Sequence, residues 1–252
     1  MAPDSTARRA PLHGGMIGML PPQVDVFWTD LDAAASALPR WRALLATAEI
    51  ERAERFRFDR DRNRYIARRG IVRALLAQRH GDAPAALRFT SNVYGKPALV
   101  GGGCEFNASH SRGLALFAMS RDTAVGCDVE FHDPRFLADN IPERLFSSAE
   151  RRELRGFAAE QQTAAFFDGW TRKEAFIKAC GFGLRLPLDR FDVSLAPGDR
   201  PALYRGCAGW SARCVAPAPQ CSAAIVAQSE DWEIDARPLD ALKLLAEISA
   251  VC

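Results

Sequence analysis

Two carboxylates stand two residues apart in Val125-Gly-Cys-Asp-Val-Glu130, and a second charged set, Lys173, Glu174 and Lys178, lies in Trp170-Thr-Arg-Lys-Glu-Ala-Phe-Ile-Lys178. In an extended strand Asp128 and Glu130 point to the same side, with Val125, Cys127 and Val129 on the other. No basic residue of that strand neutralises the pair, so the two carboxylates want a cation. A third carboxylate from a helix would complete a hard oxygen site. Magnesium suits such a set, because it takes few protein carboxylates and fills its shell with water and phosphate oxygens. At helical spacing, positions 170, 173, 174, 177 and 178 fall within roughly 140° of one another. That arc shares its face with Phe166, Phe167 and Trp170 and is expected to turn inward. The same charges could instead flank the apolar stripe and snorkel to water, or form a routine surface pair.

Three further groups bear on phosphate chemistry. Asn107-Ala-Ser-His-Ser111 ends a candidate strand. Adjacent Ser109 and His110 must point to opposite faces, and no G-x-S-x-G elbow surrounds them, so a phosphate contact suits His110 better than a nucleophile–base pairing. Tyr94-Gly-Lys-Pro97 reads as a turn carrying a lysine. Between Arg52 and Arg73 nine arginines face only Glu54, Asp59 and Asp61, which reads as a solvated helix face or as a surface for phosphate-bearing partners. Gly181-Phe-Gly-Leu184 follows a helix rather than preceding one, so it is a C-cap and not a dinucleotide fingerprint.

The elements that must position these groups alternate in type. Val24–Trp28 reads as a strand. Asp30 reads as an N-cap, Pro39 as the end of a short helix and Thr47 as the start of the next. A long helix is expected from Arg60 to about His80, stopped by Gly81-Asp82. Strands are expected at Leu87–Phe89, Glu105–Ser109, Gly113–Ser120 and Ala124–Glu130. Helices follow at about Arg135–Leu145, Ser148–Gly156 and Gln161–Cys180. Strands then come near Phe191–Leu195, Gly209–Val215 and Ala223–Gln228, and a closing amphipathic helix over Leu239–Val251. Helices then strands, twice over, predict an α+β protein of two similar halves: a loose tail over 1–22, a first half over 23–123 and a second over 124–252.

The bulk composition is that of an ordinary globular protein: 252 residues, 48% hydrophobic, 25% charged, net charge +2. A nearly balanced charge announces neither a nucleic-acid nor a membrane partner. Seven widely spaced cysteines without C-x-x-C argue against a disulfide framework or a zinc site and for a reducing, cytoplasmic setting. The apolar stretch of the first twenty residues is short and broken by glycines, too weak for a signal segment.

Together, Tyr94–Pro97, Phe106–Ser111, Val125–Glu130 and Trp170–Lys178, running on into Gly181–Leu184 and Leu186–Asp189, resemble the Sfp-type 4'-phosphopantetheinyl transferases. The resemblance extends from about Glu49 to Val193. It implies two similar α+β halves with the active site in the cleft between them, magnesium as cofactor, and coenzyme A as co-substrate. An apo acyl or peptidyl carrier protein would be the partner. It assigns Asp128, Glu130 and Glu174 to the metal, and Glu174, Lys173 and Lys178 to catalysis. Lys173 and Lys178 would also contact the pyrophosphate. His110, Ser109, Arg69 and Arg52 would lie at the 3'-phosphate, and Lys96 and Pro97 at the adenine nucleotide. One departure is Cys127, where isoleucine or valine is common; it should face the core. The segment from Pro134 to Gly156 is the expected carrier-docking region, and the length points to the single-chain, monomeric type. A nucleic-acid-binding reading of the arginine helix would leave the three carboxylates unexplained and set to repel a backbone.

Overall fold

The computed structural model describes residues 20–138, 141–198 and 200–249. The expected tail before residue 20, the end of the closing helix and part of the Pro197–Asp199 loop lie outside the described residues.

Alternating apolar residues build β1 (Gln23–Asp30), whose Val24 and Val26 are fully buried. Asp30 then caps α1 (Leu31–Ala34), its carboxylate accepting from the amides of Asp32 and Ala33. Pro39 does not end a helix as expected. It sits in the first turn of α2 (Leu38–Ala43), where its missing N–H costs nothing. After α3 (Thr47–Ala53) comes the long α4 (Asp59–His80), which Gly81 ends in the left-handed conformation at φ 77°. The short hairpin β2 (Phe89–Ser91) and β3 (Pro97–Leu99) follows. Next are β4 (Glu105–Ser111), β5 (Leu114–Ser120) and β6 (Val125–Phe131). The helix expected over 135–145 is two pieces, α5 (Arg135–Ala138) and α6 (Ile141–Leu145). Then come α7 (Ser148–Gly156) and the 22-residue α8 (Ala159–Cys180). The strand expected at Phe191–Leu195 reduces to a single bridge, Val193 to Leu203. β7 (Ser211–Val215), β8 (Cys221–Ala227), β9 (Glu233–Pro238) and α9 (Ala241–Ser249) complete the chain.

Two sheets organise these elements, in the order β4-β5-β1-β9 and β6-β8-β7. The first carries α4 on one face, with Phe27, Phe117 and Met119 packed against Ile66, Ile71 and Leu75. The second carries α8, over Ala224 and Val226. Between them lies a third core, where Val24, Val26, Leu116 and Ala118 meet Val125, Cys127, Val129, Ala223 and Ile225. The α+β class and the two-halved arrangement follow, and Cys127 faces that core with no exposure.

The expected division at residue 124 omits a return of the chain. β9 runs parallel to β1, from Gln23–Glu233 to Trp28–Pro238, and α9 packs on α4 with Leu244 and Leu245 buried in the first core. Residues 233–249 therefore complete the first half's sheet and helix layer.

Candidate active site

The two sheets meet along their edge strands. No ladder of backbone hydrogen bonds joins β4 to β6; side chains of β4 bridge the gap instead. Asn107 Oδ1 accepts from Cys127 N at 3.0 Å, Ser109 Oγ donates to Asp128 Oδ1 at 2.7 Å, and Ser111 Oγ donates to Glu130 Oε2 at 2.7 Å. Residues 107, 109 and 111 share one face because a strand repeats every two residues. That face is turned toward the second half, and the carboxylates Asp128 and Glu130 are held on it.

Above β6 lies α8. Gly126 allows the approach: a Cβ there would sit 2.2 Å from the carbonyl oxygen of Ala175 and 2.3 Å from the amide of Ala179. With helix and strand this close, Lys178 Nζ reaches Asp128 Oδ1 at 2.5 Å and Ser109 Oγ at 3.1 Å. Glu174, one turn earlier, lies within the electrostatic reach of Asp128, Glu130 and Lys178. Burial raises Glu174 above the ordinary carboxylate range; Lys178 opposes this, while Asp128 and Glu130 add to it. Glu130 is raised too, first by burial, with Ser111 opposing. Lys178 is raised: burial disfavours its charge, but Asp128, Cys127 and Glu174 together outweigh burial.

Asp128 is 3% exposed, and its second oxygen, Oδ2, is buried without a hydrogen-bond partner. An unmatched anionic oxygen beside two further carboxylates is costly unless a cation answers it. Among the described residues no three histidine, cysteine or carboxylate side chains stand close enough to cage a metal ready-made, and Asp128 is closed onto Lys178. The donor set is all oxygen and suits a hard divalent ion that keeps part of its shell for other ligands.

A cavity of about 260 Å³ opens beside this group, between Tyr94–Pro97, Asn107 and Ala108 on one side and Glu174, Ile177, Lys178 and Gly181 on the other. On the opposite face of β4, His110 turns toward α4. Its imidazole keeps access to solvent, yet its pKa falls to about 4, chiefly because the protein strips water from the ring, then because Arg68, Lys178 and Arg64 face it. Arg68 Nε is buried with no partner. Burial, with the charges of Arg69 and Arg52, pushes that guanidinium down to about 10. A neutral imidazole and a crowded guanidinium without a carboxylate form a place where an anion would be welcome.

The profile of the 4'-phosphopantetheinyl transferase superfamily matches residues 124–227. The 4'-phosphopantetheinyl transferase HetI of Nostoc sp. is 33% identical over 219 residues, covering 85% of this chain and 92% of that protein. The chain belongs to the 4'-phosphopantetheinyl transferase superfamily. The transferase Sfp of Bacillus subtilis is 32% identical over 157 residues, 62% of this chain and 69% of its own. The human L-aminoadipate-semialdehyde dehydrogenase-phosphopantetheinyl transferase is 31% identical over 163 residues, 59% of this chain and 52% of its own.

Within this transferase several expected site residues are placed elsewhere. Lys173 does not face the cleft. It has no exposure, and its ammonium is shared among Glu150 Oε1 at 2.8 Å and the carbonyls of Leu188 and Phe191 at 2.6 and 2.8 Å. Three donors meet three acceptors, so nothing remains for a pyrophosphate. The single-stripe reading failed because α8 is covered twice, by β6 and β8 on one side and by α7 and the 186–195 segment on the other. Arg69 is also spent: its guanidinium clasps Glu49, together with Arg73, and lies 4.9 Å over Phe89. Its neighbour Arg68, not Arg69, is the arginine of this pair that lies beside His110. Arg68 was legible in principle, since 65, 68, 72 and 75 share the apolar stripe of α4. Arg52 lies 5.6 Å over Tyr65 at the exposed rim, within reach of Arg68. Lys96 points its ammonium at the carbonyl of Ala179, 2.8 Å away, and Pro97 lines the cavity. Five of the nine arginines of the run are paired with carboxylates, by Arg60–Asp61, Arg62–Asp59, Arg64–Asp32 and the clasp of Arg69 and Arg73 on Glu49. That pairing weighs against a continuous nucleic-acid stripe.

Proposed function

We propose that this transferase moves the 4'-phosphopantetheinyl group of coenzyme A to a serine hydroxyl of an acyl or peptidyl carrier protein and releases 3',5'-ADP. Asp128, Glu130 and Glu174 would hold a magnesium ion. The observation that carries this reading is the buried, unmatched Oδ2 of Asp128, set between Lys178 and two carboxylates of raised pKa.

When bound, the ion would supply positive charge to the pyrophosphate oxygens as the P–O bond breaks. The chain's own residues do the rest. Glu174 takes the proton from the serine hydroxyl, which is a poor nucleophile at its free pKa. The serine oxygen forms a bond to the phosphorus bearing the pantetheine, and the bond from that phosphorus to the oxygen of the ADP leaving group breaks. Lys178, at the seam between the halves, stabilises the charge that develops on that oxygen. His110 and Arg68, with Arg52 at the rim, anchor the 3'-phosphate, and the turn of Lys96 and Pro97 lies alongside the adenine nucleotide. Such anchoring holds the reacting atoms in line. Ser109 acts by fixing Asp128 rather than by touching phosphate.

The enzyme is read as a monomer, because one chain supplies both walls of the cleft, and as cytoplasmic, because its scattered cysteines suit a reducing compartment. The segment from Pro134 to Gly156 stays the preferred carrier-docking region, carrying exposed Arg144 and Arg152. The test incubates the protein with coenzyme A, magnesium chloride and a panel of apo carrier proteins and weighs each carrier intact. A mass gain of one phosphopantetheine, lost when EDTA is added, is expected. A carrier panel unchanged at high enzyme concentration would refute the assignment.

A further inference from the structure

The hairpin β2–β3 carries Asn92 at its turn, a residue with no place in the chemistry above. Both ends of its side chain are engaged. Oδ1 accepts from the amides of Tyr94 and Lys96, at 2.9 and 3.0 Å, and so shapes the Tyr94–Pro97 turn. Nδ2 donates to the carbonyl of Gly181 at 2.8 Å. The partners fix which end is which: two N–H donors require the oxygen, and a carbonyl requires the nitrogen.

Gly181 closes α8 in the left-handed conformation, at φ 72°. The carbonyls of a last helical turn have no partners within the helix. Two of them here are answered from the other half of the protein, Gly181 by Asn92 and Ala179 by Lys96. The fit is close. A Cβ at Gly181 would stand 2.9 Å from Asn92 Nδ2 and 3.0 Å from Lys96 Cδ. One amide side chain thus touches both walls of the cavity, the 94–97 turn and the C-terminal end of α8, alongside the Lys96–Ala179 contact.

We infer that Asn92 is a positioning residue, a clasp that sets the separation of the two walls of the coenzyme A cleft and thereby the affinity for that substrate. The inference rests on the cleft reading given above. Lys178 is held independently, by Asp128 on β6 and Ser109 on β4. Releasing the clasp therefore disturbs binding more than turnover.

Two variants separate the clasp from the turn. Asn92→Ala removes both functions. Asn92→Asp keeps the acceptor for the Tyr94 and Lys96 amides but sets a carboxylate oxygen against the Gly181 carbonyl. Both are expected to raise the KM for coenzyme A about tenfold, the effect of one lost hydrogen bond with its acceptor left buried. In both, kcat should stay within about threefold and the KM for the carrier should not move. The dissociation constant of coenzyme A, measured by calorimetry, should rise in parallel. A KM within twofold of wild type in both variants would overturn the inference. So would wild-type behaviour of Asn92→Asp alone, which would leave only the turn as important. A fall in kcat matching a loss of folded protein, with KM unchanged, would reduce Asn92 to a fold residue. If the wild-type protein modifies no carrier, the functional reading fails by itself, and calorimetry with coenzyme A still reports on the clasp.

Discussion

Lys173 and Lys178 stand five residues apart on one helix in different surroundings. Lys173 is buried against Glu150, two backbone carbonyls and the ring of Phe191, 4.3 Å from its ammonium. Replacing it by methionine strands Glu150, itself 1% exposed, and should cost roughly 3–5 kcal/mol of stability; urea unfolding checks it. Lys178→Ala should instead leave coenzyme A binding largely intact and slow transfer by at least about a hundredfold, as loss of a single charge-stabilising group does. Unimpaired transfer would exclude its role. A pH profile tests the neighbouring Glu174. As base it must be ionised, so kcat/KM should rise with pH through its pKa. Because Lys178 lowers that pKa, Lys178→Ala should shift the acidic limb of its residual activity further upward. Arg68 and Arg69 give a parallel contrast. Arg68→Ala should weaken coenzyme A but not its analogue lacking the 3'-phosphate. Arg69→Ala should lower the unfolding midpoint, because Glu49 loses a partner. A loss of discrimination in Arg69→Ala rather than Arg68→Ala would reverse the assignment.

The strand and helix that hold these groups depend on one missing side chain. Gly126→Ala would drive a methyl into the backbone of α8 at Ala175 and Ala179. The helix must lift, and misplacement by even about 1 Å can cost a hundredfold in rate. Transfer should fall at least that far while far-UV circular dichroism is retained; full activity would show that the close approach is dispensable. This level of organisation was partly legible in the amino-acid order. Strand alternation correctly put Asp128 and Glu130 on one side and Cys127 in the core, and separated Ser109 from His110. The long helices were found because their apolar period is strong and glycines close them. Lys173 was misread because a helix covered on two sides has no single inward stripe. Arg69 comes from the family resemblance, and a string of arginines gives no local sign of which one meets a carboxylate. That sign is Glu49, twenty residues earlier. The seam of Asn107, Ser109 and Ser111 and the clasp of Asn92 are contacts between distant segments, and no local pattern announces them.

The assembly of the two halves is not a simple head-to-tail arrangement. The first sheet takes its fourth strand from residues 233–238, after the whole second half has been traversed. A chain shortened after residue 228 should lose the parallel partner of β1 and the cover of α4, exposing Leu75 and neighbours of the first core. Such a protein is expected to bind a hydrophobic dye and to lack a cooperative unfolding transition; a sharp transition would contradict this. For the same reason, β1 on a nascent chain presents an unsealed margin of N–H and C=O groups to its surroundings. It stays so until residues 233–238 have left the ribosome. Synthesis order and sheet order are thus out of step, and the interval between them is when the growing chain would be most in need of a chaperone.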